Sequence, residues 1–571
     1  MKALLIYPPF VMHYRPYPSL PALGAFLRER GYQIELRDEN MEFLNYYVHP
    51  SHFKRICQTL EGYREKLHKM EYTAYAAHIG NDLDTLFKNE QLSDAAMDDL
   101  ALSVTTLRDP MLNSNRFNVL HAQDTLCSAH TLLYRFICIE QLLKRTDQES
   151  FFEVRWETIK RELKADSEYR YYFKSRTVPK MITFSPDLIG ISIAFDDQII
   201  PAFILAHELR QTPQTKHAHI TIGGTAVTIL QEVIRKHPEV FSVIDSCVLY
   251  EGEDALAKLL EALKLSRGLD GVPNLMYMRN GKVITNPIEM IHDLNQLPTP
   301  DYNGLPLEKY FSPDFAPTLS TTRGCYWNKC SFCNNRFLNN NATYRMRAPE
   351  FIFEDFVTLR KKYNVKTISL WEEAAVPKCL KKLAERIKAS EYDFTWFVEA
   401  RLDKTFTEDF CRLLYEGGCR SITFGLESGN SRVQTLMNKG LNLEVCRQVI
   451  RNCYRAKLQV YLMVMVGFPG ERADEAMDTL HFLEENRRYI HFAEVSHFVL
   501  RRHTPTYCNP EHFGISFEHN DDLFAATGSL DYGVNEGMKI EESLQLCKFI
   551  RQRVYNLGLR NRWDTTARKI I

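Results

Sequence analysis

Three cysteines stand close together in the segment Thr322-Arg-Gly-Cys325-Tyr-Trp-Asn-Lys-Cys330-Ser-Phe-Cys333-Asn. Three thiolates on one loop can bind three irons of a [4Fe-4S] cubane and leave the fourth iron open to a small ligand, as a catalytic cluster requires. A zinc knuckle is the alternative, but structural zinc normally takes four protein ligands from paired Cys or His motifs. Because no second pair follows closely, the spacing favours the iron-sulfur cluster.

Further polar residues come at the ends of predicted strands downstream. Glu372 and Glu373 end one strand, and Glu399 and Arg401 end the next. Three short motifs follow: Phe424-Gly-Leu-Glu427-Ser428-Gly429, Met437-Asn-Lys439-Gly440 and Val466-Gly467-Phe-Pro-Gly470-Glu471. Each feature is weak alone, because a carboxylate at a strand end is often a helix cap or a surface ion pair, and Gly-Phe-Pro-Gly-Glu can be only a turn. Their order along successive strands is what indicates a site.

The elements that must position these residues form an α/β series that begins at Pro317. Strands are predicted near residues 318–322, 367–371, 395–400, 421–426, 460–466 and 493–499. Amphipathic helices lie between the strands, with one apolar face in each, such as Leu380, Leu383 and Ile387. Six such units predict an open, partial (β/α)6 barrel, in which functional side chains gather at the carboxyl ends of the strands.

The first half of the chain alternates strands and helices in the same way. Strands near residues 2–7, 33–36, 188–194, 219–222 and 243–250 predict a doubly wound, Rossmann-like sheet whose ligand lies at the strands' carboxyl ends. The sequence Asn280-Gly281 between two apolar runs predicts a hairpin, and several prolines after residue 297 mark a linker. We therefore expect an α/β chain with a Rossmann-like domain over 1–290 that carries a helical insertion at about 41–181, a linker over 291–316, a barrel over 317–500 and a small C-terminal extension over 501–571.

The cysteine segment and the barrel motifs resemble the radical S-adenosylmethionine (SAM) superfamily. The commonest spacing there is C-x3-C-x2-C, whereas this loop has one additional residue between Cys325 and Cys330, which leaves the loop conformation open. The resemblance implies a [4Fe-4S] cluster on the three cysteines and a SAM site. A zwitterion with a ribose needs a carboxylate, a cation and hydrogen-bond acceptors around it. The residues implied for SAM are Phe332, Glu372, Glu373, Glu399, Arg401, Glu427, Ser428, Lys439 and Gly467.

Residues 1–50 and 180–265 resemble the cobalamin-binding domain that precedes this barrel in one large radical SAM class. The matching segments imply cobalamin contacts at Ser192, Gly223, Gly224, Glu251 and Gly252. A Rossmann-like module that keeps the fold but binds nothing is the alternative. The Asp-x-His-x-x-Gly loop that supplies an imidazole to cobalt in many cobalamin proteins is absent, and His13 is interpreted as an ordinary loop histidine.

By this resemblance the chain is a radical SAM enzyme that cleaves SAM reductively and functionalises an unactivated carbon, with methyl transfer from cobalamin as the favoured outcome. The alternatives are cyclisation, rearrangement or carbon-carbon coupling with cobalamin absent or non-methylating, and, from another class, a non-catalytic metal-stabilised scaffold. The implied partner is a reductase, flavodoxin or ferredoxin as electron donor. The substrate can be a peptide, a lipid or a small metabolite, and no single catalytic residue is identified.

Charge and composition point to a protein of the cytoplasm that does not bind nucleic acid. Lys plus Arg total 71 against 72 Asp plus Glu, so no global field attracts a polyanion. Basic clusters such as Arg501-Arg502-His503 are interpreted as solvated faces or local anion contacts. The amino terminus lacks a signal-peptide pattern, and no apolar stretch is long enough to span a bilayer.

Overall fold

The computed structural model describes residues 1–11, 15–69, 94–109, 116–143, 154–312, 315–517, 522–526 and 530–559. His13 and parts of the insertion and of the C-terminal extension lie outside these ranges. Two large sheets organise the described residues, one in each half of the chain.

The N-terminal sheet has seven strands in the order β2-β1-β3-β4-β5-β6-β7. Their bounds are β1 Lys2–Tyr7, β2 Gln33–Asp38, β3 Leu188–Ser192, β4 His219–Gly223, β5 Ser246–Val248, β6 Leu275–Arg279 and β7 Lys282–Thr285. The first five strands are parallel. β1, β3 and β5 are almost entirely buried, as strands of a sheet covered on both faces are, whereas the edge strand β2 is mostly part-exposed. The last two form the predicted hairpin, in which Asn280 and Gly281 both adopt positive φ.

Helices cover this sheet, and a helical insertion separates β2 from β3. The helices are α1 Ser19–Glu29; in the insertion α2 Glu39–Tyr47, α3 Pro50–Lys69, α4 Asp94–Arg108, α5 Arg116–Leu143, α6 Trp156–Glu162, α7 Glu168–Tyr172 and α8 Val178–Met181; and then α9 Ile199–Gln211, α10 Thr225–Ile229, α11 Gln231–Lys236 and α12 Glu253–Lys264. Buried side chains of the insertion share one apolar core with those of the sheet and of α9. The insertion is therefore packed onto the domain.

The second large sheet has six parallel strands in the order β15-β14-β13-β12-β11-β8. The strands of this half are β8 Thr318–Leu319, β9 Thr322–Arg323, β10 Arg345–Met346, β11 Thr367–Leu370, β12 Thr395–Ala400, β13 Cys419–Glu427, β14 Gln459–Val466 and β15 Phe492–His497. Successive side chains of a strand point to opposite faces of the sheet. Trp396 and Val398 of β12 are buried, whereas Phe397 and Glu399, which alternate with them, are partly open. The open face lines the lumen of a partial barrel.

Helices alternate with these strands and pack on the buried face of the sheet. They are α13 Asn335–Leu338, α14 Pro349–Tyr363, α15 Pro377–Ala389, α16 Glu408–Glu416, α17 Ser431–Leu436, α18 Leu443–Arg455 and α19 Ala473–Asn486. Leu380, Leu383 and Ile387 are buried on α15, as their spacing predicts.

The C-terminal extension packs beside the last strands of the barrel. It comprises α20 Pro505–Cys508, β16 Ile515–Ser516, β17 Gly533–Val534 and α21 Ile540–Asn556, of which α21 contacts β15 and α19. None of the described helices has the length and hydropathy of a membrane span.

Candidate active site

The cysteine loop runs from β9 to α13, above the carboxyl end of the first barrel strand. Cys325, Cys330 and Cys333 are free and partly open to solvent. The backbone of Cys333 donates to the Cys330 carbonyl over 3.2 Å. Burial raises the pKa of Cys333 to about 12, and the charges of the two other thiols add to the shift. The Cys325 and Cys330 side chains therefore lie near enough to Cys333 for their charges to act on it.

In a cubane the three thiolates bind different irons, so their side chains need not converge on one point. In the described ranges, no group of three or more Cys, His, Asp or Glu side chains has the arrangement that would hold a single metal ion. Three free thiols on one partly open loop are the donor set that a cluster with one open iron needs.

The motif at residues 437–440 holds this loop in place. The Ser331 amide donates to the Met437 carbonyl over 2.9 Å, and the Trp327 indole donates to the Asn438 carbonyl over 2.9 Å. Gly440 has φ +68, and a Cβ there would lie 2.1 Å from the Trp327 ring. Only glycine leaves room for the indole at this position. Gly440 is therefore required for the contact with Trp327 that holds the cluster loop.

Two cations lie beneath the loop, and both already have protein partners. Lys439 Nζ lies 2.7 Å from Glu427 Oε1, and both side chains are nearly buried. Arg401 donates to the Lys439 carbonyl over 2.6 Å, and its guanidinium lies 4.6 Å from the centre of the Trp327 ring. These contacts join the ends of β12 and β13 to the cysteine loop.

Both cations also act on the cluster ligands. Burial raises the pKa of Cys330, and the charges of Lys439 and Arg401 oppose that shift. Phe332 is partly buried, with Lys439 Nζ 5.7 Å from its ring centre. A positive field beside a thiol favours the thiolate, the form that ligates iron.

Glu372 and Glu373 follow one another at the end of β11, and their side chains point in different directions. Glu372 is buried and accepts from the Thr321 amide over 3.1 Å and from the hydroxyls of Thr321 and Thr322. Burial raises the pKa of Glu372 to about 7. The Glu372 carboxylate thus ties β11 to the strand that leads into the cysteine loop.

Glu373 and Glu399 belong to the barrel mouth. Glu373 is exposed, and desolvation by the surrounding protein raises its pKa. Burial also raises the pKa of Glu399 to about 7, and the carboxylates of Glu373, Glu372 and Glu494 add to that shift. A cluster of carboxylates like this one is suited to binding the ammonium group of a ligand.

The remaining predicted SAM residues build strand-end turns. Ser428 is fully buried, and its hydroxyl accepts from the Asn430 amide over 3.1 Å. The Gly467 amide donates to Glu471 Oε2 over 2.5 Å. A Cβ at Gly467 would lie 2.9 Å from His497 Nε2, so this glycine also allows β14 and β15 to end side by side.

A cavity of about 380 Å³ lies at the carboxyl ends of β3, β4 and β5. The start of α1 and the first barrel strand β8 close it from the other side. Ser192 lines the cavity, and its hydroxyl lies 2.9 Å from that of Ser19. Gly224 has φ +109, and a Cβ there would lie 2.5 Å from the Ile193 carbonyl oxygen. The strand-to-helix turn itself therefore requires this glycine, whatever the cavity binds.

Glu251 and Gly252 line the same cavity and also connect the two halves of the chain. Glu251 Oε1 lies 2.9 Å from Arg323 Nη1 and 2.8 Å from Arg345 Nη1. Its other oxygen accepts from the Ile291 amide over 2.6 Å. A Cβ at Gly252 would meet the Leu23 side chain at 3.2 Å.

Tyr17 stands between the cavity and the barrel mouth, and sequence reasoning did not identify it. Its ring stacks on Tyr7 at 4.7 Å and meets Trp371 edge-on at 5.7 Å. Burial raises the pKa of Tyr17 to about 12, the charge of Glu373 adds to the shift, and a hydrogen bond with Thr225 opposes it. No sequence motif indicates this role for Tyr17, which lies just before α1.

The barrel and its cysteine loop are those of a radical SAM domain: residues 319–483 match the model of the Radical SAM superfamily. An uncharacterized methyltransferase of Pyrococcus horikoshii is 29% identical over 308 residues, covering 53% of this chain and 65% of that protein. Cytidylyl-2-hydroxyethylphosphonate methyltransferase of Streptomyces wedmorensis is 24% identical over 367 residues, which cover 56% of this chain and 66% of that protein. The chain thus spans just under two thirds of the length of these curated relatives.

Among solved structures, the chain resembles the radical SAM methyltransferase TsrM from Kitasatospora setae, determined with cobalamin and a [4Fe-4S] cluster bound. The TM-score is 0.55 at 15% identity, over 92% of this chain and 82% of that one. The likeness confirms the predicted fold class, an α/β chain with a Rossmann-like domain of the cobalamin-binding type ahead of a partial barrel.

Proposed function

We propose that the chain is a cobalamin-dependent radical SAM methyltransferase acting on an unactivated carbon. The observation that carries the proposal is the position of the cysteine loop. It stands on the radical SAM domain, directly after the strand β8 that closes the Rossmann-side cavity. The cluster loop and the cavity are therefore neighbours, as two cofactors that act on one substrate require. Both the relatives and the TsrM likeness support methyl transfer as the reaction class.

Cys325, Cys330 and Cys333 would hold the [4Fe-4S] cluster, with SAM on its open iron. Glu373 and Glu399 are proposed for the SAM ammonium, because they are the carboxylates that open to the barrel mouth. Arg401, Glu427, Lys439 and Phe332 lie around the loop and would shape the rest of the SAM site. Glu372, Ser428 and Gly467 are proposed to support this site indirectly, through the strands that carry it.

The cavity would hold cobalamin. Its position at the carboxyl ends of β3, β4 and β5 is where a doubly wound sheet binds its ligand, and the residues predicted to contact cobalamin line it: Ser192, Gly223, Gly224, Glu251 and Gly252. We propose that cobalt has no protein imidazole, since the sequence lacks the Asp-x-His-x-x-Gly loop.

When bound, these groups would supply reductive SAM cleavage, a 5′-deoxyadenosyl radical for hydrogen abstraction and a methyl donor. The chain's own residues would fix the geometry. The charges of Lys439 and Arg401 would favour the thiolate form of Cys330, and Tyr17 would separate the two cofactor positions with an aromatic ring. The barrel mouth excludes water from reactive species.

The proposal includes a cytoplasmic location and a flavodoxin, ferredoxin or reductase as electron donor. All 14 cysteines are free, as in a reducing compartment. The domains are proposed to follow the predicted division, with boundaries near residues 290 and 317 and at residue 500.

Anaerobic reconstitution with iron, sulfide and hydroxocobalamin, followed by SAM and a strong reductant, tests the proposal. We expect bound cobalamin by its visible spectrum, and both 5′-deoxyadenosine and S-adenosylhomocysteine by mass spectrometry. The control is Ser192→Leu, which should lose cobalamin because the longer side chain would occupy the cavity that Ser192 lines. Deoxyadenosine without S-adenosylhomocysteine would contradict methyl transfer, and would be the result expected of a non-methylating radical SAM enzyme.

A further inference from the structure

The short helix α13 lies between the cysteine loop and the cavity. It begins at Asn335, whose backbone amide donates to Cys333 Sγ over 3.5 Å. At the other end of the helix, Leu338 and Asn339 line the cavity. A displacement of α13 would therefore move a hydrogen-bond donor on a predicted cluster ligand together with part of the cavity wall.

His503, from the C-terminal extension, packs flat against α13. Its ring stacks on that of Phe337, with the ring centres 3.6 Å apart and the planes inclined by 8°. His503 Nε2 lies 2.9 Å from the Ile229 carbonyl oxygen. Because a carbonyl can only accept, this nitrogen carries a proton and donates it. Ile229 ends α10, the helix that begins at the cavity with Thr225, so the imidazole joins α13 to the N-terminal domain.

The backbone on either side of His503 holds the cysteine loop as well. The Asn334 side chain donates to the Arg502 carbonyl over 3.3 Å, and the Thr506 amide donates to the Ser331 carbonyl over 3.1 Å. The Arg502 side chain is buried. The interpretation of Arg502 and His503 as part of a solvated basic face is therefore wrong, because this segment is packed between the loop and the N-terminal domain.

A second aromatic ring continues the contact to the cavity. Tyr250 lines the cavity, and its ring centre lies 6.0 Å from that of Phe337, within the range of an aromatic pair. The Tyr250 amide donates to Thr228 Oγ1 over 2.8 Å, and its hydroxyl accepts from Gln231 Nε2 over 3.2 Å. Phe337 thus contacts both the imidazole of His503 and a wall residue that the N-terminal domain holds in place.

We propose that His503 is a positioning residue for both cofactor sites, because it holds the helix that contacts Cys333 at one end and the cavity at the other. The inference rests on the proposed function, which places a cluster on the loop and cobalamin in the cavity. Hydrogen bonds to the sulfurs help to set the reduction potential of a cluster. A donor stabilises the additional negative charge of the reduced state, so its loss lowers the potential.

Two titrations of the anaerobically reconstituted full chain test this role. The first follows cluster reduction by electron paramagnetic resonance before cobalamin is added, and the second follows hydroxocobalamin binding by its visible spectrum. His503→Ala removes both the ring stack and the donor. It should keep the iron content of the wild type, shift the reduction potential to a more negative value and weaken hydroxocobalamin binding about tenfold.

Two conservative variants separate the contacts of the imidazole. His503→Phe keeps an aromatic ring for Phe337, and His503→Gln keeps a donor for the Ile229 carbonyl. Each should restore part of the potential and part of the affinity that His503→Ala loses. His481→Ala removes an exposed imidazole from α19 and is the matched control, which should change neither quantity.

An unchanged or more positive potential in His503→Ala would overturn the inference, and so would an unchanged affinity for hydroxocobalamin, because the proposed role requires both to change. Loss of iron and of the circular dichroism signal in all three His503 variants would also overturn it, since His503 would then serve folding alone. Failure of the proposed function is separate: the wild type would form no deoxyadenosine from SAM, whatever the two titrations give.

Discussion

At the scale of single residues, the same charged groups stabilise the barrel and act on the cluster loop. Glu427 and Lys439 form a nearly buried pair at 2.7 Å, and Lys439 is also a neighbour of Cys330. A buried ion pair contributes little net stability, but removal of one partner leaves the other charge buried and uncompensated. The role of each residue in cofactor binding must therefore be separated from its role in folding.

Lys439→Met should destabilise the fold by about 3–5 kcal/mol, because it leaves the Glu427 carboxylate unpaired. It should also lower iron retention. Urea unfolding at neutral pH and iron analysis measure the two effects. Lys404→Met, which removes an exposed lysine from a nearby loop, is the control and should change neither. A loss of stability below about 1 kcal/mol would mean that the pair is not buried as described.

Residue types at strand ends could be predicted from the sequence, but side-chain directions could not. Glu372 and Glu373 are equivalent in the sequence, yet the first faces Thr321 and Thr322 and the second faces the barrel mouth. The direction of the Glu372 side chain depends on the Thr321 and Thr322 hydroxyls, which come from another part of the chain.

At the scale of elements, the cluster loop depends on contacts with the segment after β13. The indole of Trp327 covers Gly440 and donates to Asn438. The additional residue between Cys325 and Cys330 lies in this part of the loop. We interpret the indole contact as the support for the longer loop.

Gly440→Ala should displace Trp327 from this contact and lower the iron and sulfide bound per chain by half or more. Two effects combine, since φ at Gly440 is +68 and the new Cβ would lie 2.1 Å from the ring. Gly62→Ala is the matched control, because it lies in α3 with nothing within 4 Å of its Cβ position. Full cluster content in Gly440→Ala would contradict the assigned role.

Element positions were largely predictable because burial patterns determine them. β1 and β12 coincide with the predicted bounds, and Asn280-Gly281 forms the predicted turn. The strand predicted over 243–250 is shorter, Ser246–Val248, because a 3-10 turn at Pro238–Ser242 precedes it and Tyr250 has φ +57. Both departures arise from local backbone turns that hydropathy does not indicate.

At the scale of the whole molecule, the Asp301 carboxylate, like that of Glu251, joins the two halves of the chain. Asp301 lies in the predicted linker, 2.7 Å from Arg28 on α1 and 2.7 Å from Lys362 on α14. Tyr363 also donates to it over 2.7 Å. Although burial opposes ionisation, these partners lower the pKa of Asp301 to about 2. Asp301 therefore links α1 of the N-terminal domain to α14 of the barrel.

Asp301→Asn should lower stability by about 2 kcal/mol at neutral pH. The carboxyl's folded pKa, about 2, is below its ordinary value of 3.8. Its contribution is therefore complete above about pH 4 and disappears as pH falls towards 2. Urea unfolding at several pH values measures this. The free energies of unfolding of the wild type and of the variant should converge below pH 3. Asp478→Asn is an exposed control that keeps a hydrogen-bonding side chain near Asn430. A difference between Asp301→Asn and wild type that does not depend on pH would contradict the linkage.

The most direct test of the central claim is the formation of 5′-deoxyadenosine by the anaerobically reconstituted protein after SAM and a strong reductant are added. We predict that the wild type binds close to four iron atoms per chain and forms deoxyadenosine. Cys330→Ala should form no deoxyadenosine and should bind less iron than the wild type. A colourless wild-type protein that contains zinc, or one that binds iron but leaves SAM uncleaved, would contradict the account.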